Sequence, residues 1–299
     1  MLAEVISANT AERCAKSAFD IILAMMLASL AVASAAITNL IVQSVDARIR
    51  EADPAVALAR FEAYPSGAGF GRFKPNSKFW AKEIDFSCAS PWNSQGGRVR
   101  AGTLVSKRHI VFATHFPIDK GTRIVFVGQD GEVCPCWIEA VEHLEQSDIS
   151  VGLLNADVTP NVHPAKIMPD NFEQYIGSGE GLPIVILDQY ERAIVNDSAK
   201  IAKDIPGKEP IFTRAGQGKM PTDPQRLKFQ RKMVVGDSGS PAFMIVGKEP
   251  ILLFCLKFGV CGGGPAIHRR REDIQKAMNN LCPGYKLEEF DFSRLIERN

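Results

Sequence analysis

The sequence has almost no excess of charge of either sign and no low-complexity tract. Its 299 residues contain 35 Lys and Arg against 34 Asp and Glu, which gives a formal net charge of +1. Because nucleic-acid binding draws on clustered positive charge, this balance gives no reason to expect a nucleic-acid partner. Apolar residues make up 45% of the chain and charged residues 23%, a composition that excludes a disordered or collagen-like protein.

One segment of the chain also lacks charge altogether: residues 21–45 contain no charged side chain. As a helix this run would extend about 37 Å, enough to cross a hydrocarbon core of about 30 Å. After an N-terminal segment at 1–20, we therefore expect a transmembrane signal anchor at 21–45 with the rest of the chain exported. Small residues at 33–35 leave a cleaved signal peptide and a secreted protein as one alternative. A buried helix of a globular domain is the other.

Residues 46–85 have the composition of a stem or linker. Helix-forming residues come first, where Pro54 could sit in a first turn or break the helix, and a stretch rich in Gly, Pro and Ser follows. Gly67, Gly69 and Gly71 are spaced like a phosphate-binding loop but have no strand before them or helix after them. A flexible linker is the better interpretation.

From about residue 86 the sequence becomes a series of short β-rich runs, which indicates an all-β barrel or sandwich. The runs are Val99–Val105, His109–Thr114, Thr122–Val127, Val133–Val141, Ile149–Leu154, Pro183–Leu187, Pro210–Thr213, Leu227–Val235, Pro241–Val246, Ile251–Phe258 and Pro265–His268. One helix is predicted over Arg271–Leu281, with a stop signal at 283–284. A tail at 283–299 completes the chain.

The most specific local pattern is GDSGSP at 236–241. Glycines on both sides of a serine allow backbone N–H groups to converge on one point, as an oxyanion hole requires. A serine hydroxyl needs a histidine base, itself oriented by a carboxylate. His115 ends a β-rich run (FATH), and Asp148 comes directly before a strongly apolar one (DISVGLL). These residues are candidates for base and carboxylate, with Asp119 and Asp130 as alternatives for the latter.

In this order and spacing, the three motifs resemble those of the chymotrypsin/trypsin-like serine protease family. The resemblance covers a protease domain at 86–282 and implies two packed antiparallel β-barrels, at about 86–170 and 171–270. It implies Ser238 as nucleophile, His115 as general base and Asp148 as the residue that orients the imidazole. The N–H groups of Gly236 and Ser238 would form the oxyanion hole. Asp237 would pair with a buried cation and set the loop conformation.

The sequence also departs from the family pattern. Phe116 stands where many members have a cysteine, and no activation-site motif precedes the domain, so activation by cleavage should not be assumed. Lys232 occupies the position at the base of the primary specificity pocket, which argues against cleavage after Lys or Arg.

The seven cysteines suggest disulfides only if the chain is exported. Cys14 precedes the apolar run, so the other six would form an even set, with Cys255 and Cys261 one candidate bridge. The Cys134-Pro135-Cys136 segment with His143 lacks a second cysteine pair at zinc-site spacing. We therefore expect no metal and no organic cofactor.

The expected function is that of a serine endopeptidase acting on a polypeptide through an acyl-enzyme intermediate. A protease-like binding module that has lost turnover, or an esterase on the same fold, are the alternatives. The expected partners are the polypeptide substrate and, through 21–45, a membrane.

Overall fold

The chain is mostly β-sheet, with few helices. The computed structural model describes residues 20, 24, 25, 28, 31–63, 73–95, 100–203 and 215–296. Over these residues the strands form a six-stranded sheet, a seven-stranded sheet and a small two-stranded pair.

The six-stranded sheet is a nearly closed barrel with the strand order β3-β4-β5-β8-β7-β6. Its strands are β3 (Ala89–Ser90), β4 (Gly102–Leu104), β5 (His109–Ala113), β6 (Arg123–Val127), β7 (Val133–His143) and β8 (Ile149–Leu154). The two edges meet where the Val125 N–H donates to the Trp92 carbonyl at 2.9 Å. Along the first half of β7, buried and exposed side chains alternate, so one face of that strand fills the barrel.

The seven-stranded sheet has the order β15-β12-β11-β10-β13-β14-β9. Its strands are β9 (Lys166–Ile167), β10 (Pro183–Leu187), β11 (Ala193–Lys203), β12 (Ala215–Lys219), β13 (Pro241–Val246), β14 (Glu249–Cys255) and β15 (Gly263–Pro265). The short β9 pairs in parallel with β14. This strand therefore belongs to the second sheet, although the sequence analysis assigned it to a first barrel ending near residue 170.

Most of the predicted strands are present, but the run predicted over Pro265–His268 overlaps β15 only at Pro265 and ends in a 3-10 helix, and another is wrong altogether. The segment predicted as a strand over Leu227–Val235 begins inside a helix, α4 (Pro224–Phe229), and continues as a loop. The helix starts there because the Asp223 carboxylate accepts hydrogen bonds from two backbone N–H groups and proline fits the first turn. A shorter helix, α3 (Glu173–Ile176), lies between β9 and β10. The strands β11 and β12 were not predicted, and the predicted run Pro210–Thr213 lies outside the described residues.

Residues 31–49 form a helix, α1, whose inner face packs on the rest of the protein. Ile37, Ile41, Val45 and Ile49 follow one another at intervals of four residues, and each is at most 3% exposed. Three apolar residues of the run interpreted as a membrane anchor at 21–45 therefore lie in the protein's own core, whereas Met25 and Val32 are exposed. No helix within the described ranges is long and apolar enough to span a membrane.

Polar contacts fix the end of α1 to the second sheet. The Arg226 guanidinium contacts the Asp46 carboxylate through Nε at 2.7 Å and Nη2 at 2.8 Å, and donates to Asp197 at 2.9 Å. The Ser44 hydroxyl accepts the Gly247 N–H at 2.8 Å. The helix is thus held by its charged end as well as by its apolar face.

The described part of 46–85 is built into the core, so its interpretation as a stem is wrong for those residues. A short helix, α2 (Pro54–Ala57), has Pro54 in its first turn, one of the two placements that the sequence allowed, and β1 (Phe61–Ala63) pairs with β2 (Lys74–Pro75). Trp80 is buried, and its indole N–H donates to the Ala193 carbonyl at 2.9 Å. The glycines at 67, 69 and 71 lie outside the described residues.

The C-terminal part confirms the predicted helix but not a free tail. Helix α5 spans Arg271–Leu281, as the sequence indicated, and the chain ends its described part in α6 (Ser293–Ile296). Phe290 and Phe292 are each 1% exposed, and the Phe290 N–H donates to the Ile167 carbonyl at 2.9 Å. The described residues around Phe290 and Phe292 therefore pack against the second sheet.

The six described cysteines are free thiols, so the disulfide set expected for an exported chain is not formed among them. These residues are Cys88, Cys134, Cys136, Cys255, Cys261 and Cys282. Five of them are buried, and the predicted bridge between Cys255 and Cys261 is absent from this part of the chain. Cysteine acts here as a small apolar core residue.

Two buried histidines each lower the stability of the folded protein in weak acid, against the opposite effect of the buried Glu191. Burial, together with a neighbouring arginine in each case, lowers the pKa of His109 and of His268 to about 4. Between pH 6.5 and 4 the unfolded chain takes up protons that the folded chain excludes, so the free energy of unfolding falls. We expect a loss of about 2 kcal/mol per histidine from pH 7.5 to pH 5. Urea denaturation at the two pH values measures it.

A His268→Leu variant serves as the control for this prediction. Its free energy of unfolding should fall by about 2 kcal/mol less than that of wild type between the two pH values, because one of the two histidine protonation sites is gone. An unchanged pH dependence in the variant would contradict the assignment of the effect to His268.

Candidate functional site

His115 and Asp148 are brought together by the pairing of β5 with β8. The two strands are antiparallel, and Ala113 at the end of β5 lies opposite Ile149 at the start of β8. His115 follows the first of these residues by two positions and Asp148 precedes the second by one. The His115 N–H donates to Asp148 Oδ1 at 2.9 Å, which ties the two backbone segments together.

Ser238 comes from the second sheet, in the turn that precedes β13. The Gly239 N–H donates to the Leu256 carbonyl at 2.8 Å, and the Leu256 N–H donates to the Ser240 carbonyl at 2.9 Å. A Cβ on Gly239, whose φ is +84°, would lie 2.9 Å from the Ala101 carbonyl oxygen. Glycine is needed there for the turn and for its close approach to the first barrel.

The three predicted side chains form one hydrogen-bonded chain. His115 Nδ1 lies 2.7 Å from Asp148 Oδ2, and His115 Nε2 lies 2.8 Å from Ser238 Oγ. A carboxylate only accepts, so Nδ1 carries the proton and Nε2 is left to accept the serine hydroxyl. The Asp148 side chain is 4% exposed and the His115 side chain 37%, so the imidazole faces a surface that a substrate can reach.

Lys257, which sequence reasoning did not select, adds a positive charge beside this chain. Its Nζ lies 3.3 Å from Asp148 Oδ2, and the lysine side chain is only 19% exposed. Burial acts to raise the pKa of Asp148, but hydrogen bonds from His115 and the charge of Lys257 together hold that pKa below its ordinary value. The carboxylate is therefore ionised at neutral pH.

The predicted oxyanion donors lie next to the serine. Gly236 has φ of +106°, a conformation that favours glycine. Within the described chain, neither the Gly236 N–H nor the Ser238 N–H donates to a protein acceptor. Both are therefore available to a ligand oxygen near Ser238 Oγ.

Asp237 is buried, but its partners differ from the cation that the family resemblance implied. Its Oδ2 accepts the Val234 N–H at 2.7 Å, and its Oδ1 accepts from the backbone N–H of Gln189 at 3.3 Å and from Gln189 Nε2 at 3.1 Å. Neutral donors hold the loop, and Gln189 has no motif around it that would have identified it. It follows β10 by two residues, so only the fold brings it to the site.

The other candidate residues lie elsewhere. Asp119 accepts from Gln95, and Asp130 lies in a turn where it accepts the Glu132 N–H, so Asp148 is the carboxylate that His115 contacts. The Cys134 and Cys136 sulfurs are 3.9 Å apart inside the barrel. Among the described residues, no group of three His, Cys, Asp or Glu side chains is arranged to hold a metal ion.

Comparison with known proteins adds no relative. No protein-family model matches the chain, and no curated protein matches it significantly.

Proposed function

We propose that the protein is a serine endopeptidase that hydrolyses peptide bonds through an acyl-enzyme intermediate. The observation that carries the proposal is the hydrogen-bonded chain Asp148–His115–Ser238, with contacts of 2.7 Å and 2.8 Å. Its members come from three separate segments and two sheets. A nucleophile, a base and a carboxylate in this order have the geometry of a catalytic triad.

The chemistry follows from the proton positions. Ser238 Oγ attacks the carbonyl carbon of the substrate while His115 Nε2 takes the serine proton, and His115 then gives that proton to the leaving amine. Asp148 stabilises the imidazolium that forms in between. The N–H groups of Gly236 and Ser238 would donate to the developing oxyanion, each for about 3 kcal/mol of transition-state stabilisation. A water molecule then attacks the acyl-enzyme by the same proton transfers.

We also propose the chymotrypsin-like pair of barrels for the fold. The six-stranded barrel supplies His115 and Asp148, and the second sheet supplies Ser238. The second sheet curls back on itself: just after β15, Ala266 forms an antiparallel bridge with Phe254 of β14. Asp237 finds neutral donors inside the chain, so the loop does not need a newly cleaved amino terminus to hold it.

A fluorophosphonate probe tests the proposal with a matched pair of variants. Wild type should be labelled, and Ser238→Ala should not be. Ser240→Ala, in the same motif, should label like wild type because the buried Ser240 hydroxyl has no hydrogen-bond partner among the described residues. Folded wild type that resists labelling would overturn the proposal in favour of a binding module without turnover.

The substrate class needs a separate measurement. A peptide library and a p-nitrophenyl ester are offered to the same enzyme preparation, with Ser238→Ala as the blank. Cleavage of peptides supports the endopeptidase, because the acyl-enzyme must then form from an amide. Turnover of the ester without cleavage of any peptide would assign the site to an esterase.

A further inference from the structure

The Val235–Gly236 peptide group decides whether the Gly236 N–H can reach an oxyanion. In a trans peptide the C=O and the N–H point in opposite directions, and the described chain has no cis peptide bond. Gln189 Nε2 donates to the Val235 carbonyl at 3.3 Å. The carbonyl is thus turned toward Gln189, and the Gly236 N–H is turned away from it.

Gln189 is itself fixed by a second contact. The same Nε2 lies 3.1 Å from Asp237 Oδ1, and the Gln189 backbone N–H donates to that oxygen at 3.3 Å. A carbonyl and a carboxylate only accept hydrogen bonds, so the amide nitrogen and not the amide oxygen must face them. One side chain therefore connects the residues on both sides of Gly236.

The rest of the loop fixes the ends of the turn around this peptide group, where the Asp237 N–H donates to the Val234 carbonyl at 3.1 Å, but not its central carbonyl. Val235 is 93% exposed, and within the described residues Gln189 is the donor that contacts its carbonyl. Glycine at position 236 lacks a Cβ and permits backbone orientations that other residues resist. Without a donor at Gln189 the peptide group can rotate, which would carry the N–H away from Ser238.

We propose that Gln189 is a positioning residue that holds the Val235–Gly236 peptide in the orientation an oxyanion requires. The inference rests on the proposed hydrolase function. Gln189 then affects the stability of the transition state and not the affinity for substrate, because the oxyanion forms only after Ser238 attacks.

The test compares Gln189→Met, which keeps the side-chain length and removes the donor, with Gln189→Glu, which replaces the donor by a carboxylate. Hydrolysis of p-nitrophenyl acetate gives kcat and KM, and phenylboronic acid serves as a transition-state analogue. For both variants we expect kcat to fall on the order of 10- to 100-fold relative to wild type, with KM within about twofold. The affinity for phenylboronic acid should fall in parallel. Gln129→Met, at an exposed turn of the barrel, is the matched control and should match wild type.

The outcomes separate this inference from the proposed function. Wild type that labels with fluorophosphonate and a Gln189→Met variant that keeps kcat within twofold would overturn the role of Gln189 alone. A variant that loses kcat only together with a lower melting temperature and a higher KM would also overturn it, because that is the behaviour of a structural residue. Wild type that neither labels nor turns over the ester overturns both.

Discussion

Replacing Asp148 by asparagine is expected to lower kcat about 10⁴-fold while the protein keeps its fold. The carboxylate accepts two hydrogen bonds from His115, one from the backbone N–H at 2.9 Å and one at the ring Nδ1 at 2.7 Å. An amide has one accepting oxygen, so one of the two positions becomes a donor. The backbone N–H cannot accept a hydrogen bond, but Nδ1 can, if the ring proton moves to Nε2. In that tautomer His115 cannot take the Ser238 proton.

The measurement is kcat for ester hydrolysis, with the melting temperature as the check on folding. Asp119→Asn is the matched control, since Asp119 is an exposed carboxylate on the same barrel that accepts a hydrogen bond from Gln95. It should keep kcat within about twofold. If Asp148→Asn retained more than a tenth of wild-type kcat, Asp148 would not be orienting the imidazole.

The hydrogen-bonded chain of Asp148, His115 and Ser238 could be predicted because each member lies in a short motif with its own chemical reason. Gly239 is required by the turn, and Asp148 and His115 flank strands whose apolar character is plain in the sequence. Lys257 and Gln189 could not be found in this way. Each acts through contacts made across the fold, and a lysine or glutamine just after a strand is ordinary in a sequence.

The helix at 31–49 shows that an apolar run can indicate either a membrane span or a buried helix. A charge-free helix suits a membrane, but it also suits a core when it packs on a sheet, and the i, i+4 spacing of Ile37, Ile41 and Val45 occurs in both. The distinguishing contact is Arg226 with Asp46, which joins residues 180 positions apart. A local sequence pattern cannot reveal a contact between residues so far apart along the chain.

Loss of Arg60 is expected to lower the free energy of unfolding by about 3–5 kcal/mol. Arg60 lies in the segment that the sequence suggested was a linker, yet it is 6% exposed. It donates to the Phe86 carbonyl at 3.1 Å and the Val127 carbonyl at 2.7 Å, and to the Glu191 carboxylate at 3.1 Å. The first two belong to the barrel side of the structure, and Glu191 lies in the turn between β10 and β11 of the second sheet. Arg60→Met would remove this donor from the buried Glu191 carboxylate and from the Val127 carbonyl, whereas the Phe86 carbonyl keeps the Ala89 N–H at 3.0 Å.

The stability lost in Arg60→Met should also depend on pH. Burial raises the pKa of Glu191, and Arg60 opposes that rise. Without Arg60 the folded pKa rises further, so the folded chain holds a proton that the unfolded chain releases above about pH 4.5. The free energy of unfolding of Arg60→Met should therefore decrease as the pH rises from 5.5 to 8, and the deficit relative to wild type should be larger at pH 8.

Two further variants distinguish the buried charge from lost packing. Arg60→Met combined with Glu191→Gln removes the uncompensated charge and should recover part of the lost stability, mostly at pH 8. Lys248→Met breaks an ion pair with Glu83 in which both side chains are more than half exposed, and should cost less than about 1 kcal/mol. Guanidinium denaturation at both pH values measures all four proteins. An Arg60→Met variant within 1 kcal/mol of wild type at pH 8 would mean that Glu191 is neutral in the native protein and that the two sheets do not depend on this contact.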